Sequence, residues 1–226
     1  MIKDKLKDTV LETVAVYDKY SLGMEIEFWT SQWMSKKYAR EFDLDDRSWS
    51  SKNMYSILGY DGSGKSTKEF RSPVFISDNP EEAFNSLVEF VVEVQKYLVK
   101  DFHGKFLPYY YRHPMGIHFS IGGKFFNLNR ELIKRAKIVQ PKLVTQLSEE
   151  DKTVYLNREN TRYSGHINQY FESLNDFNCF SIPIRNFGTR AEFRFFPSCD
   201  VETLIPYLQF LIFDTAEPNN QIKFIK

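Results

Sequence analysis

The chain has few cysteines, no long apolar run and no excess of charge of either sign. Cys179 and Cys199 are its only cysteines, too few for a disulfide framework or a cysteine-rich zinc site. Thirty basic residues balance thirty acidic ones, so bulk charge gives no reason to expect nucleic acid or an anionic membrane as partner. No apolar stretch approaches the length of a membrane span or of a signal segment. We therefore expect a cytoplasmic protein with reduced thiols and neither a nucleic-acid nor a membrane partner.

The chain does contain enough apolar material for one sizeable core. Hydrophobic residues make up 42% and aromatic residues 16% of its 226 residues, which argues against global disorder. This length fits one domain. We predict a single domain over residues 1–226, with a peripheral helix over residues 1–20 and a polar, loosely held tail over residues 217–226.

The spacing of apolar residues predicts strands separated by long helices. Strands are expected at residues 22–30, 54–59, 68–75, 116–122 and 189–196. Helices are expected at residues 80–101 and 200–216, and helical stretches within residues 129–147, interrupted by Pro141. Asn79 and Pro80 suit a helix start, and His103-Gly104 suits its end. Residues 31–53 have no clear period and indicate an insertion or loop. This pattern indicates an α+β fold.

The glycine-rich segment Gly59–Ser66 matches the phosphate-binding pattern G-x-x-x-x-G-K-[ST]. A true P-loop leads into a helix that begins at its lysine. Here the residues after Lys65 have the composition of a strand and include Pro73. The stronger interpretation is a hairpin turn between two strands, which could still lie near a nucleotide with Lys65 close to a phosphate. A P-loop nucleotide-binding protein is kept as an alternative.

Charged side chains alternate with apolar ones along several predicted strands. They are Glu25 and Glu27 in residues 22–28, Glu69 in 68–73, His118 in 115–120, and Arg190, Glu192 and Arg194 in 189–195. Because side chains on a strand repeat every two residues, each charged set points to one face and its apolar neighbours to the other. Unpaired charges on a shared face are costly, so a metal ion with a polyphosphate would suit it.

Each of these residues also has a purely structural interpretation. Glu25 and Glu27 could form the solvated side of an edge strand. His118 could be a core histidine with its hydrogen bonds satisfied. Arg190, Glu192 and Arg194 could form a salt-bridge ladder on one face, because alternating opposite charges support each other without a ligand.

Six short motifs follow one another between about residues 22 and 212. They are Gly23–Phe28, Asp61–Ser63, Glu69–Pro73, Gly116–His118, Arg162-Tyr163 with Asn168, and Gly188–Arg194. In this order they resemble the amidoligases, carboxylate–amine ligases whose catalytic domain is similar to that of glutamine synthetase. The resemblance implies a curved, mostly antiparallel sheet, with ATP and divalent metal on its concave face and helices on its convex face.

The resemblance also implies a set of metal ligands. Glu27 and Glu69 resemble the ligands of one ion. Glu25, His118 and Glu192 resemble the ligands of the ion that bridges the nucleotide phosphates. Magnesium takes hard oxygen ligands, so clustered glutamates with one histidine are plausible chemistry, and manganese is a good substitute.

Further roles are implied for arginines and for nucleotide contacts. Arg162 resembles the arginine that stabilises the transferring phosphoryl group, and Arg190 and Arg194 resemble those that contact phosphate or the substrate carboxylate. Ser120 stands where many relatives carry a second histidine. The residues expected to contact the nucleotide are Glu25, Lys65, His118, Ser120 and Arg190.

The activity implied by the resemblance is an ATP- and magnesium-dependent ligase. It would join a free carboxylate of an amino acid or peptide to an amine donor through an acyl phosphate, because a carboxylate alone is a poor acyl donor. Phosphoryl transfer is catalysed mainly by metal and arginine charge. Three alternatives remain: a non-catalytic nucleotide- or ligand-binding module of the same fold, a phosphagen-type kinase, which should show a reactive cysteine, and the P-loop protein.

Overall fold

The computed structural model describes residues 18–31, 58–60, 67–110, 113–125, 129–157, 184–186 and 190–226. Residues 1–17 of the predicted N-terminal helix and nearly all of the predicted insertion lie outside these ranges. So do Lys65, Arg162 and Cys179.

Nine strands are described, and seven of them form one antiparallel sheet. The strands are β1 Tyr20–Trp29, β2 Leu58–Tyr60, β3 Thr67–Arg71, β4 Phe75–Ser77, β5 Tyr109–Tyr110, β6 His113–Pro114, β7 Gly116–Gly123, β8 Ile184–Asn186 and β9 Arg190–Pro197. The strand order in the large sheet is β2-β3-β1-β7-β9-β8, with β4 paired to the first residues of β1. Strands β5 and β6 form a separate pair. β1 therefore lies near the centre of the sheet.

Four helices are described, and they fit the predicted α+β class. They are α1 Pro80–Phe102, α2 Asn129–Thr145, α3 Glu149–Asn157 and α4 Val201–Phe213. α1 begins where the sequence predicts, because the Asn79 side chain accepts a hydrogen bond of 3.0 Å from the amide of Glu81. Within the described part of the chain, no helix has the length and apolar character needed to cross a membrane.

Gly104 fixes how the chain leaves α1. His103 adopts the left-handed conformation, and the amide of Gly104 then donates to the carbonyl of Leu98 at 3.0 Å. A Cβ on Gly104 would lie 3.1 Å from that carbonyl oxygen and from the ring of Phe106, too close for any larger residue without displacement. The turn brings residues 105–106 alongside the end of β1.

The core lies between the helices and one face of the sheet. On β1 the even-numbered residues Leu22, Met24, Ile26 and Phe28 are all at most 2% exposed. Buried residues of β3, β7 and β9 continue this apolar face, and α1, α2 and α4 cover it. The other face of β1 is left for polar side chains.

The two strands that flank the glycine-rich segment contradict the P-loop interpretation. Residues Thr67–Arg71 form β3, and β2 pairs with β3 in antiparallel register, Gly59 opposite Glu69. A P-loop requires a helix at this point of the chain. Residues 211–214 lie in α4 and its cap, within the helix that the sequence predicts at residues 200–216.

Pro141 does not interrupt α2, so that expectation is wrong. The helix continues from Asn129 to Thr145 with the proline inside it. Proline removes one backbone hydrogen bond and crowds the preceding turn. Val139 and Leu143, on either side of it, are fully buried, and this packing holds the helix together.

The tail after Glu217 is fastened to the domain, so the expectation of a loosely held tail is wrong. Ile225 exchanges two backbone hydrogen bonds with Phe106, of 2.8 and 3.0 Å. The Tyr207 hydroxyl donates to the carbonyl of Asn220 at 2.6 Å, and Ile222 is buried in the core. Apolar residues within a polar segment provide these anchors.

Candidate functional site

The odd-numbered residues of β1 point away from the core. Glu25, Glu27 and Trp29 alternate with buried apolar residues, so the strand period of two places them on the opposite face of the sheet. β3 lies on one side of β1 and β7 on the other. Polar side chains from both neighbours therefore meet those of β1 on this face.

Glu25 lies directly between a basic group on each neighbouring strand. Its register partners are Arg71 on β3 and His118 on β7. One carboxylate oxygen lies 3.2 Å from Nδ1 of His118, and the other lies 3.5 Å from Nε of Arg71. The side chain of His118 is only 5% exposed, whereas those of Glu25 and Arg71 are 29% and 27% exposed, so the site is buried on the histidine side and partly open on the arginine side.

Glu27 occupies the next position along the same face. Glu69 is its register partner on β3. The Glu27 carboxylate lies 3.7 Å from Nε2 of His118 and accepts a hydrogen bond of 2.7 Å from the amide of Gly116. The His118 ring is thus held between the two carboxylates of β1.

Glu69 and Glu25 form a coupled acidic pair. Burial and the nearby Glu25 charge raise the pKa of Glu69 to about 8, although Arg71 opposes them by binding both Glu69 oxygens at 3.0 and 2.7 Å. Burial acts to raise the pKa of Glu25 too, but His118 and Arg71 outweigh it and lower that pKa to about 2. Without a metal ion, the pair therefore keeps one proton at neutral pH, held on Glu69.

Glu192 reaches the same face from β9. It is the register partner of Ser120 on β7 and forms an ion pair of 3.0 Å with Arg194 on its own strand. The β7–β9 register shifts between Ile117 and Phe119, next to His118. Such bulges re-aim side chains and occur often beside active sites.

The ligand atoms of Glu25, His118 and Glu192 all lie within 4.8 Å of one another. With Glu27 and Glu69 beside them, we call these five residues the acid cluster. Carboxylate oxygens with one imidazole nitrogen suit Mg²⁺ or Mn²⁺. Burial and the nearby Glu25 charge raise the pKa of Glu69, and a divalent ion would favour its ionised form. The residues present therefore fit such an ion.

The structure brings together all five sequence-predicted metal ligands, and their roles remain predictions. Ser120 is half-buried and lies between Gly23 and Glu192 in the register. Arg194 lies beside Glu192, as the salt-bridge interpretation also expects. Arg190 is on β9 opposite Gly122, but its side chain, like all of Lys65 and Arg162, lies outside the described part of the chain.

Arg71, which is not among the site residues predicted from the sequence, lies inside this constellation in the structure. Arg71 contacts both Glu69 and Glu25. The sequence does contain a signal for Arg71, because it lies two residues after Glu69 and so on the same face of the strand. The same spacing relates Glu192 to Arg194.

No known protein-family model matches the chain, and no curated protein matches it. Among solved structures, the chain is similar to a cryo-EM structure of glutamine synthetase from Plasmodium falciparum, with 16% sequence identity and a TM-score of 0.43. The match covers 95% of this chain and 55% of that one, so the chain spans about half the length of that protein. This degree of similarity does not establish a common fold or a common function.

Proposed function

We propose that the chain is an ATP- and magnesium-dependent carboxylate–amine ligase of the amidoligase type, with a catalytic fold like that of glutamine synthetase. The observation that carries the proposal is the convergence of Glu25, His118 and Glu192 within 4.8 Å. These residues come from three adjacent strands and from three of the motifs that resemble the amidoligases. The proposal includes a single domain over residues 1–226 and a cytoplasmic location.

The charge on this face supports binding of metal together with phosphate. Four carboxylates, of Glu25, Glu27, Glu69 and Glu192, face two described guanidinium groups, of Arg71 and Arg194. A divalent ion balances the excess negative charge. The arginines of β9 would then contact the oxygens of a polyphosphate, since a planar guanidinium suits bidentate phosphate binding.

In the proposed reaction, an oxygen of the substrate carboxylate attacks the γ-phosphorus of ATP, and the bond to the β-phosphate oxygen breaks. ADP leaves, and the substrate becomes an acyl phosphate. A neutral amine donor then attacks the acyl carbon, inorganic phosphate leaves, and the amine loses a proton. A bound metal ion would supply charge stabilisation at the phosphates, held by the acid cluster. Arg162, Arg190 and Arg194 would stabilise the negative charge of the transferring group.

The protonation of Glu69 links this site to pH. Its pKa of about 8 means that a metal ligand must lose a proton when the ion binds at neutral pH. Metal affinity should therefore increase as the pH rises toward 8. The same carboxyl group is held by Arg71 at 2.7 Å, which keeps it oriented in either protonation state.

The proposal is tested by ADP release with magnesium across a panel of amino acids, polyamines and short peptides. We expect release that needs magnesium, a carboxylate substrate and an amine together, and that stops when EDTA is added. Magnesium-dependent nucleotide binding without ADP release for any pair would favour the non-catalytic binding module. Nucleotide binding that is indifferent to magnesium would contradict the site itself.

A further inference from the structure

Beyond Glu27, the polar face of the sheet ends in a cationic and aromatic group. Trp29 stacks on Tyr110 with ring centroids 4.2 Å apart. The ammonium of Lys105 lies 5.9 Å from the centroid of Trp29 and 5.4 Å from that of Tyr110. We call these three half-buried residues the Lys105 platform.

The platform lies on the same face as the acid cluster. Trp29 and Lys105 are direct partners, joined by backbone hydrogen bonds of 3.1 and 2.8 Å. Their neighbours Phe28 and Phe106 stack on each other in the core at 5.3 Å. Because adjacent residues of extended chain point to opposite faces, Trp29 and Lys105 both point away from the core, as Glu27 does.

The charge of Lys105 is available to a ligand. Five other described lysines have carboxylate partners: Lys19 with Asp78, Lys96 with Glu202, Lys134 with Glu131, Lys142 with Glu217 and Lys152 with Glu149. Lys105 forms no ion pair with any described carboxylate and contacts aromatic rings instead. A cation–aromatic contact leaves the hydrogen-bond donors of the ammonium free to bind an anion.

We propose that the Lys105 platform binds a second anionic group of the substrate whose carboxylate is activated at the acid cluster. Trp29 lies two residues beyond Glu27, which is roughly 7 Å along a strand. The centre formed by Glu25, His118 and Glu192 lies two residues further along β1, so the substrate would carry two acidic groups separated by roughly 7 to 13 Å. The inference rests on the proposed function and specifies its carboxylate substrate as a diacid. A positive ammonium also disfavours a polyamine at this end of the site.

The test compares diacids with monoacids of the same chain length. Adipate and pimelate are titrated against hexanoate and heptanoate by calorimetry, in magnesium, with and without a non-hydrolysable ATP analogue. We expect the diacids to bind about tenfold more tightly than the monoacids, the gain of one charge-assisted hydrogen bond. In Lys105→Met the two classes should bind equally. A Lys105→Gln variant repeats the measurement, and thermal melts check that both variants fold.

Lys124 provides a matched control at the other end of β1. Its ammonium lies 5.5 Å from the ring centroid of Tyr20, and its amide is bonded to the carbonyl of Lys19 at 2.9 Å. Tyr20 packs with Phe125 against the core, so this pair lies away from the acid cluster. Lys124→Met should keep the full preference for diacids.

Three results would overturn the inference: no diacid preference in the wild type, an unchanged preference in Lys105→Met, or the same loss in Lys124→Met. Loss of affinity for the ATP analogue in Lys105→Met would also overturn it, by assigning Lys105 to a nucleotide phosphate. ADP release separates this inference from the proposed function. If diacids are preferred through Lys105 but no ADP is released with any substrate pair, the ligase proposal is wrong and the platform proposal stands. If wild type and Lys105→Met release ADP at the same rate, the platform proposal is wrong and the ligase proposal stands.

Discussion

The two faces of β1 differ in almost every physical property, although they alternate along ten residues of one strand. The even-numbered side chains from Leu22 to Phe28 are apolar, almost fully buried and packed beneath α1. The odd-numbered side chains Glu25, Glu27 and Trp29 are surrounded by charged or aromatic groups of neighbouring strands. One face contributes apolar burial to folding, whereas the other concentrates charges whose proximity costs stability.

This difference predicts whether a substitution on β1 should change folding stability or activity. A change on the even face removes packing and should weaken folding. A change on the odd face removes charge and should weaken chemistry most, with a smaller effect on folding. Functional sites often retain such unfavourable local arrangements at the expense of stability.

The largest effect should come from Phe28→Ala on the even face. Phe28 is fully buried and stacks on Phe106 at 5.3 Å. Losing a buried aromatic ring and leaving a cavity typically costs about 3–5 kcal/mol of unfolding free energy. Urea unfolding monitored by circular dichroism measures it.

The matched substitution on the odd face is Glu25→Gln, which preserves shape. The Glu25 carboxylate pairs with His118 and Arg71 in the folded protein, so we expect Glu25→Gln to lower the unfolding free energy by about 1–2 kcal/mol, less than Phe28→Ala does. If Glu25→Gln destabilised the protein as much as Phe28→Ala, both faces of β1 would contribute equally to folding, and the contrast between them would be wrong.

The next largest effect should be on activity, in Glu192→Gln. The substitution keeps the shape of a buried side chain but removes one negative charge from the acid cluster. Metal and phosphate charges are then unbalanced, and we expect ADP release to fall about 100-fold or more. The melting temperature should change little.

Glu202→Gln is the control for this prediction. Glu202 lies on α4, is about half exposed and pairs only with the exposed Lys96 among described residues. Its ADP release should match the wild type. Wild-type turnover in Glu192→Gln would instead mean that Glu192 and Arg194 form only a structural salt bridge.

Much of the architecture could be predicted from sequence because the signals are local. The cap at Asn79 and the apolar stripe of α1 predict that helix to within one residue at its end. The period of two predicted which side chains of β1 face the core. The convergence of Glu25 with Glu192 needed more than local signal, because it depends on β7 lying between β1 and β9.

α3 has no apolar stripe, and the local cap at Ser148, whose hydroxyl accepts from the amide of Asp151 at 3.0 Å, is the sequence signal that marks its start. The remainder was set by long-range contacts. The bulge beside His118 depends on how β7 and β9 pair. Docking of the tail depends on Ile225 meeting Phe106, more than a hundred residues earlier. No pattern within one segment encodes such pairings.

A smaller effect should appear in the pH dependence of stability without metal. From pH 2 to 4.5 the folded state binds fewer protons at Glu25 than the unfolded state, so stability rises. From pH 4.5 to 8 the folded state keeps a proton on Glu69 that the unfolded state has lost, so stability falls. We expect this fall to amount to at most about 4 kcal/mol, because each pH unit between the two pKa values contributes about 1.4 kcal/mol. Urea unfolding in EDTA at several pH values measures it.

Glu69→Gln isolates this contribution from His118 and from other titrating groups. The difference between wild type and variant should grow from pH 4.5 to 8. Saturating magnesium should remove the fall in the wild type, because the ion favours the ionised carboxylate. A difference that stays constant over this range would mean that Glu69 is ionised in the folded protein.

The smallest effect, on ATP affinity, is expected for Lys65→Ala. This substitution tests whether the acid cluster or the glycine-rich segment binds the nucleotide. Gly59 lies opposite Glu69, so β2 reaches the glycine-rich segment beside the candidate site. The acid cluster and the glycine-rich segment are therefore two competing candidates for the main phosphate-binding site. Because β3 replaces the helix that a P-loop requires, metal and arginine should provide most of the phosphate contacts. We expect Lys65→Ala to weaken ATP binding in magnesium by less than about tenfold, because one lysine contributes little beside the metal ion and several arginines. Calorimetry measures it, with Glu192→Gln as the comparison. Complete loss of ATP binding in Lys65→Ala, with binding retained in Glu192→Gln, would make the glycine-rich segment the nucleotide site.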